Sequence, residues 1–277
     1  MHFADQFFKR PGRSRAWLMS VLLAWMGLAA GSDTSATAAD PKDVFEARTF
    51  KGEGETELRY RLMKPEDYDP KKKYPLVLFL HGAGERGDDN TIQLVHGMAD
   101  FARDDNRDQY RCFVMAPQCP KNKKWVEVDW SQSFHDMPEE PSESIALTMQ
   151  AIEALKKEFG LDEERFYVTG LSMGGYGTWD LISRYPDKFA AAVPICGGGD
   201  EVYAARLTKI PIWAFHGTLD KAVPPHRSRR MIKAIEIAGG KPKYTEYPEV
   251  GHDSWVKAYS DPEMLAWLFS QQRKSSK

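Results

Sequence analysis

The sequence predicts one α/β domain, with an open, mostly parallel central sheet and helices on both of its faces. Two observations indicate this class. From about residue 45 to about residue 272, apolar runs of strand length alternate with amphipathic runs of helix length, as in strands joined by crossover helices. Most of the apolar runs are continuous, which is expected of strands that are covered on both faces.

The composition agrees with a globular domain. Of the 277 residues, 42% are hydrophobic and 28% are charged, which excludes a disordered, collagen-like or multi-span membrane chain. The sequence contains no internal repeat and no low-complexity linker. Residues 40–277 are therefore expected to form a single domain.

The first 39 residues are expected to be a cleaved export signal. A basic stretch precedes the fifteen uncharged residues 16–30, and a run of small residues follows them, which is the layout of a secretory signal. The alternative is an uncleaved anchor, but fifteen residues fall short of the roughly 20 that span a bilayer. Cleavage near Ala38 or Ala39 would give a periplasmic or secreted protein with no stable membrane anchor.

Loss of this signal would change the formal net charge from -2 to about -4, because four basic and two acidic residues leave with it. A mildly acidic chain has no electrostatic reason to bind nucleic acid or an anionic membrane. The three cysteines, Cys112, Cys119 and Cys196, lack zinc-binding spacing. Two of them could pair in an exported protein, or all three could be small buried apolar residues. The sequence does not indicate an oligomeric state.

Seven runs are predicted to be strands. The early run 58–65 alternates polar and apolar residues, so it is expected to be antiparallel to its neighbours. The other six are 74–82, 111–118, 165–170, 189–198, 210–217 and 243–250.

Three amphipathic runs are predicted to be helices. The run 142–160 begins with a serine in capping position and ends with a glycine. The other two are 226–240 and 261–274, the latter with Pro262 in its first turn. In sheets of this kind, ligands bind at the carboxyl ends of the strands, so the residues that follow each strand are the candidates for function.

Ser172 is the candidate nucleophile. It follows an apolar strand run, precedes a helical run and forms the pattern GxSxG with Gly170 and Gly174. A nucleophile elbow turns so sharply that there is no room for side chains two residues on either side of the serine. Gly175 and Gly177 are expected to let the helix begin close to neighbouring strands, with its N-terminus lending positive potential to the site. The alternative is a glycine-rich turn with an incidental serine.

A serine hydroxyl needs a base to take its proton and a carboxylate to orient that base. Where the serine lies in a strand-to-helix turn of this kind, the carboxylate follows it in the chain and the histidine follows the carboxylate. Asp220 follows the apolar run 210–217, and His252 follows the predicted last strand, 243–250, so the two occur in that order. Asp200 and Asp253 are rival acids, but Asp200 follows a different strand and Asp253 adjoins the base. Five of the other histidines precede the serine, lie in a strand, open a helix or leave with the signal: His2, His96, His135, His216 and His226.

A tetrahedral oxyanion needs two preorganised backbone N–H groups. One is expected from Met173, directly after the serine, and the other from the loop at the end of the run 74–82. That loop begins with the sequence HGAG, and the position of Ala83 within it makes its N–H the second candidate. The alternative is that HGAG is only a glycine-rich turn.

Aromatic residues near these loops are candidates for substrate binding. Trp125 and Trp130 lie in the long irregular segment 119–141, and Tyr176 lies just beyond the serine. Together they could line an open cleft suited to aromatic acyl groups or to sugar faces. The alternative is that these side chains pack beneath the loop.

With these residues in place, the sequence resembles the α/β-hydrolase serine esterases. More narrowly, it is similar to the exported "predicted peptidase" or phospholipase/carboxylesterase-like branch, which is related to prolyl oligopeptidase catalytic domains, polyhydroxybutyrate depolymerases and feruloyl esterases. The resemblance rests on LFLHGAGERG, VTGLSMGGYGTWDL, FHGTLDKAVP and GHDSW, and it extends from about residue 45 to residue 272.

The resemblance implies an α/β-hydrolase fold with Ser172 as nucleophile, Asp220 as acid, His252 as base, and Ala83 with Met173 as the oxyanion pair. It also implies a carboxylesterase that acts on small or polysaccharide-linked esters, such as feruloyl, acetyl or short-chain acyl esters, without a metal or other cofactor. The alternatives are a serine peptidase of the prolyl oligopeptidase type and a binding protein that keeps the fold without turnover. Fold and triad do not determine which substrate is cleaved.

Overall fold

The computed structural model describes residues 39–130 and 132–273. The predicted signal falls almost wholly on residues 1–38, which lie outside the described residues, so it stays a prediction. Among the described helices, none combines the length and the apolar character needed to cross a bilayer.

The described residues form one sheet of eight strands. In chain order the strands are β1 (Glu46–Lys51), β2 (Glu57–Met63), β3 (Tyr74–Leu80), β4 (Phe113–Pro117), β5 (Leu161–Leu171), β6 (Ala191–Ile195), β7 (Trp213–Gly217) and β8 (Lys243–Tyr247). Across the sheet their order is β1-β2-β4-β3-β5-β6-β7-β8. The pairs β1–β2 and β2–β4 are antiparallel, and the other pairs are parallel. The predicted mostly parallel α/β sheet is therefore confirmed.

One strand was not predicted. The edge strand β1 carries a charged residue at three of its six positions and alternates half-buried with exposed side chains, so it has no continuous apolar run that would mark it in the sequence. It pairs residue by residue with β2, from Glu46 opposite Leu62 to Lys51 opposite Glu57. The predicted early antiparallel strand therefore lies second from the edge of the sheet.

Helices cover both faces of this sheet. They are α1 (Pro41–Val44), α2 (Met98–Ala102), α3 (Asp104–Gln109), α4 (Glu143–Glu158), α5 (Met173–Arg184), α6 (His226–Ile237), α7 (Trp255–Ser260) and α8 (Pro262–Ser270). The predicted serine cap of α4 is present, because Ser142 Oγ accepts the amide N–H of Ile145 at 3.2 Å. Pro262 opens α8, as its fixed φ favours.

Burial on both faces explains the continuous apolar runs. All seven residues of β3 are buried. Leu76, Leu78 and Leu80 pack in the core on one face of the sheet, while Val77 and Phe79 pack in the core on the other. An apolar side chain is therefore favourable at every position of this strand.

The three cysteines are buried and free, which supports their interpretation as small core residues. Burial raises the pKa of Cys112 to about 12 and that of Cys119 to about 11. Both thiols are therefore protonated at neutral pH.

Candidate active site

The candidate nucleophile lies in a strained turn. β5 ends at Leu171, α5 begins at Met173, and Ser172 between them has φ 53° and ψ -116°. A non-glycine residue in this conformation is strained and must be held by its surroundings. Its N–H donates to the carbonyl of Ile195 in β6 at 3.0 Å, and its own carbonyl accepts the N–H of Tyr176 at 3.1 Å. The backbone is thereby held on both sides of the turn.

The two glycines of the GxSxG pattern lie where side chains do not fit. A Cβ on Gly174 would overlap the carbonyl oxygen of Leu80 at the end of β3, and a Cβ on Gly170 would overlap the carbonyl oxygen of Gly174. Gly175 lies equally close to the carbonyl of Ile195, as expected for a helix that begins against a strand. The predicted steric role of these glycines agrees with the geometry.

We expect the Gly174→Ala substitution to lower the free energy of unfolding by about 1 to 3 kcal/mol, the usual range for forcing an extra methyl group into a packed interior. Urea denaturation of the two proteins would measure the difference. Gly84→Ala is the matched control, because a Cβ on Gly84 meets no atom within 4 Å. Equal losses in the two variants would contradict the steric explanation.

The structure brings Ser172, His252 and Asp220 together in one hydrogen-bonded chain. His252 Nε2 lies 2.8 Å from Ser172 Oγ, and His252 Nδ1 lies 2.7 Å from Asp220 Oδ2. The three residues follow β5, β8 and β7, whose carboxyl ends meet at one edge of the sheet. The Asp220 side chain is fully buried, whereas the His252 side chain is 28% exposed and Ser172 is half-buried. The Asp220 carboxylate is therefore shielded from water, while Ser172 and His252 are accessible from solvent.

Four N–H groups surround the Asp220 carboxylate. The amides of Ala222 and Val223 each donate to Oδ1 at 2.9 Å, and His252 donates to Oδ2. His216 Nε2 also lies 3.2 Å from Oδ2. Burial by itself raises the pKa of Asp220, but the hydrogen bonds from His216, His252 and Val223 outweigh burial and hold this pKa well below its usual range. Asp220 is therefore ionised at neutral pH.

The rival acids lie elsewhere. Asp200 is buried, and its oxygens accept the amide N–H groups of Val202 at 3.0 Å and Met137 at 2.9 Å. Asp253 is exposed. Among these carboxylates, only Asp220 has a hydrogen bond to His252 in the described part of the chain.

The predicted oxyanion loop lies beside the serine. A Cβ on Gly82 would lie 3.7 Å from Ser172 Cβ, so the loop between β3 and the short 3-10 helix Ala83–Glu85 passes next to the nucleophile. Ala83 and Met173 are each the first residue of a helical segment. The N–H of such a residue has no acceptor within its own helix, which leaves both amides suited to bind an oxyanion.

His81 and Trp125 fix this loop from within. The buried His81 accepts the amide N–H of Cys119 on Nε2 at 2.9 Å, and its Nδ1 lies 2.6 Å from the carbonyl of Gly82. Burial lowers the pKa of His81 to about 4, so the ring is neutral and can accept and donate at once. The indole N–H of Trp125 donates to the carbonyl of His81 at 2.9 Å.

We expect the Trp125→Phe substitution to lower kcat/KM by about ten- to a hundred-fold, because small misplacements of groups that bind the reacting atoms have effects of this size. Phenylalanine keeps most of the packing but loses the hydrogen bond to His81. Trp213→Phe is the matched control, since this buried indole N–H donates to Thr245 Oγ1 at 2.9 Å in the pairing of β7 with β8. Steady-state kinetics and thermal denaturation of both variants would check the expectation. A similar fall in kcat/KM in both would show that the oxyanion loop is not involved.

The predicted aromatic cleft needs correction at two of its three positions. Trp125 is fully buried and Tyr176 is 1% exposed, so neither offers a free face to substrate. Trp125 packs beneath the loop, and Tyr176 packs under the guanidinium of Arg227, whose central carbon is 5.4 Å from the ring. Trp130 is half-buried, with Lys124 Nζ 4.8 Å from its ring centroid. Trp130 is therefore the one residue of these three that is partly exposed.

One grouping resembles a metal site. Possible ligand atoms of Cys196, Asp220 and His252 lie within 4.8 Å of one another. The hydrogen bond between His252 and Asp220 accounts for two of these atoms. Burial raises the pKa of the Cys196 thiol well above its usual range, so this sulfur is protonated. The grouping is therefore explained by the hydrogen-bonded chain and does not call for a metal.

His216 is the residue near the site whose involvement the sequence analysis missed. It was set aside because it lies within the apolar run of β7. Its position four residues before Asp220, at the carboxyl end of a strand, was the available signal. The structure shows it buried and in contact with the acid.

Comparison with known proteins identifies relatives of this chain. Among solved structures, a thermostable esterase is 44% identical and superposes with a TM-score of 0.77, over 83% of this chain and 64% of its own. A probable feruloyl esterase C of Aspergillus niger is 23% identical over 72% of this chain and 68% of its own length. An uncharacterized secreted protein of Arthroderma benhamiae is 26% identical over 75% of this chain, which spans only 25% of that protein.

The predicted α/β-hydrolase fold is confirmed by these comparisons, and the relatives' names agree with the predicted carboxylesterase class. The described strands and helices have the corresponding architecture. Residues 125–264, which include Ser172, Asp220 and His252, match the dienelactone hydrolase family. This match spans half of the sequence, and the chain belongs to the dienelactone hydrolase family.

Proposed function

We propose that this protein is an exported serine hydrolase that cleaves carboxylic esters through an acyl-enzyme. The observation that carries the proposal is the hydrogen-bonded chain from Ser172 Oγ through His252 to Asp220, at 2.8 and 2.7 Å. These distances are those expected of a nucleophile, its base and the group that orients the base. The strained backbone of Ser172 adds support, because strain of this kind is concentrated at functional sites.

The reaction follows from the roles of these side chains. His252 Nε2 takes the proton of Ser172 Oγ as this oxygen attacks the ester carbonyl, and Asp220 stabilises the resulting imidazolium. The tetrahedral intermediate collapses when its C–O bond breaks and the imidazolium protonates the leaving alkoxide. Water, deprotonated by His252, then attacks the acyl-enzyme and releases the acid and the free serine.

The N–H groups of Ala83 and Met173 are proposed to hold the negative charge of both tetrahedral intermediates. Each is the first residue of a helical segment, and Gly82 brings the first of these segments beside Ser172. Donors that are fixed in advance stabilise this charge without reorganising during the reaction. The N-terminus of α5 contributes positive potential at the same place.

The exposure of the reacting groups favours esters that are attached to larger molecules. Ser172 and His252 are both partly exposed, so an ester carbonyl can reach them while the rest of its molecule stays in solvent. The half-buried Trp130 is the aromatic candidate for contact with an aromatic acyl group or a sugar face. Feruloyl, acetyl and short-chain acyl esters, free or attached to polysaccharide, are therefore the proposed substrates.

Turnover of a matched set of substrates tests this function. We expect the protein from residue 40 onward to hydrolyse p-nitrophenyl acetate, p-nitrophenyl butyrate and methyl ferulate, and to cleave a short peptide p-nitroanilide slowly or not at all. The ratio of kcat/KM for ester and amide would decide between esterase and peptidase. Cleavage of the amide without ester turnover would overturn the ester assignment, and inactivity on all four would overturn hydrolase function.

A further inference from the structure

A second histidine contacts the candidate acid. His216, near the carboxyl end of β7, is 0% exposed. Its Nε2 lies 2.9 Å from the carbonyl oxygen of Val223 and 3.2 Å from Asp220 Oδ2. Both of these neighbours are acceptors only, and a carbonyl or carboxylate oxygen does not donate. His216 Nε2 therefore carries a proton in either protonation state of the ring. It shares this proton between the carbonyl of Val223, the nearer acceptor, and Asp220 Oδ2.

The other side of the ring is held by a serine. His216 Nδ1 lies 2.8 Å from Ser228 Oγ, which in turn lies 3.1 Å from the carbonyl of Gly197. Ser228 is also 0% exposed. These contacts fix the plane of the imidazole from α6 and from the end of β6, so its Nε2–H cannot turn away from the acid. A buried polar network of this kind specifies one arrangement.

We propose that His216 is a positioning residue that acts through Asp220. Its Nε2–H shares the oxygen that accepts from His252, and so sets how much of the carboxylate's negative charge is available to the catalytic base. This inference deepens the proposed hydrolase function and rests on it. It adds a second donor to Oδ2, beyond the serine, base and acid that the sequence analysis identified.

The charge on Asp220 determines how loss of the His216 donor would change the proton affinity of His252. Each donor to Asp220 Oδ2 takes up part of the negative charge that would otherwise stabilise the His252 imidazolium. Removal of the His216 donor should strengthen the bond from His252, so that the base keeps its proton to a higher pH. The acid limb of kcat/KM reports loss of this proton in the free enzyme and should therefore move to higher pH.

Other titratable groups face this cluster from the surrounding elements. They are Tyr176 of α5, Cys196 after β6, Glu246 of β8 and Asp253 beside the base. Burial raises the pKa of both Tyr176 and Cys196, so both are neutral near pH 7. A hydrogen bond from Arg229 helps to hold the pKa of Glu246 below its usual range. His216 also helps to lower the pKa of Glu246, its partner across β7 and β8. Comparison among substitutions that all remove the imidazole therefore isolates the hydrogen-bond donor.

Three substitutions separate the hydrogen bond from packing. His216→Gln can place an amide N–H near the position of Nε2, His216→Asn reaches only toward Ser228, and His216→Met has no donor. We expect the Asn and Met variants to move the acid limb of kcat/KM upward by about half to one pH unit, a three- to tenfold change in the proton affinity of the base. The Gln variant should stay near wild type. Its kcat should also stay closest to that of the wild type, while kcat falls in the other two.

A loss of kcat in all three variants without any shift of the acid limb would overturn the proposal, since it would mean that the ring only fills space. So would an equal shift in the Gln and Met variants. Circular dichroism would establish which variants fold. If the Met variant does not, the comparison of Gln with Asn tests the same hydrogen bond.

A measurement without turnover separates this inference from the proposed function. In a Ser172→Ala background, proton NMR of the His252 Nδ1–H can follow titration of the base directly. We expect His216→Met or His216→Asn to raise the pH of this titration and His216→Gln to leave it nearly unchanged. Unchanged titration in all of them would overturn the role of His216, whatever the kinetics show. Ester turnover that survives in Ser172→Ala would instead overturn the proposed function and leave the titration result standing.

Discussion

The Ser172→Ala substitution is expected to lower kcat for ester hydrolysis by about a million-fold, the usual effect of removing the nucleophile of such a triad. The hydroxyl is the group that His252 Nε2 contacts at 2.8 Å, and the described part of the chain places no other serine hydroxyl in a hydrogen bond with this base. The substitution removes only the Oγ atom of Ser172 and leaves the turn with its neighbouring glycines intact. Turnover of p-nitrophenyl butyrate by the purified variant would measure the effect.

Ser183→Ala is the matched control for this experiment. Ser183 is buried, and it lies at the far end of α5 from Ser172. We expect the control to keep its activity, while both variants keep the far-ultraviolet circular dichroism of the wild type. Turnover by Ser172→Ala at the wild-type rate would rule out a serine acyl-enzyme, even if ester hydrolysis itself is observed.

That the three triad candidates lie close together could be predicted from the sequence, because each of them follows the carboxyl end of a strand. Ser172, Asp220 and His252 each follow a strand of a mostly parallel sheet, and the carboxyl ends of such strands lie along one edge. Their order along the chain excluded His96 and His135. Neither step requires knowledge of side-chain packing, and the structure brings the three residues within hydrogen-bond distance.

Side-chain orientation could not be predicted in the same way. Trp125 and Tyr176 are aromatic residues near the site, and aromatic residues are favoured both in clefts and in cores. Which of the two applies depends on neighbours that are distant in sequence. The carbonyl of His81 accepts a hydrogen bond from the indole N–H of Trp125, and the guanidinium of Arg227 lies over the ring of Tyr176. His216 was missed for the same reason, because its apolar strand context did not reveal that its ring faces Asp220.

The Asp220→Asn substitution is expected to lower kcat by about ten-thousand-fold, as loss of the orienting carboxylate does in other serine triads. Asparagine keeps the shape of the side chain but replaces one acceptor oxygen with an NH2 group that can only donate. At Asp220 the acceptors are fully used. Two backbone N–H groups point at Oδ1, and His252 and His216 point at Oδ2.

Neither orientation of the new amide satisfies these donors. If its NH2 lies at the position of Oδ1, it opposes the amides of Ala222 and Val223 and disrupts the loop that carries the acid. If it lies at the position of Oδ2, it can pair with His252 only when Nδ1 has lost its proton. The proton is then on Nε2, which cannot accept one from Ser172. In that tautomer the base is inactive, although the geometry is nearly unchanged.

The same contacts predict a loss of stability that depends on pH. Because the hydrogen bonds hold the pKa of Asp220 below its ordinary value of about 3.9, ionised Asp220 stabilises the folded state above about pH 4. This contribution is lost as the pH falls through the folded-state pKa. Asp220→Asn should therefore be less stable than the wild type at pH 7, and the difference should narrow below about pH 4. Urea denaturation at a series of pH values would measure it.

Asp200→Asn separates the catalytic effect from the structural one. Asp200 is buried, accepts two backbone N–H groups and has no hydrogen bond to His252, so its substitution should lower stability without the large fall in kcat. A comparable loss of kcat in both variants would mean that turnover follows general stability. A large loss of kcat in Asp200→Asn alone would indicate that Asp200, which follows β6, is the acid of the triad. The outcome that supports Asp220 is a loss of kcat confined to its own variant, at temperatures where both proteins are folded.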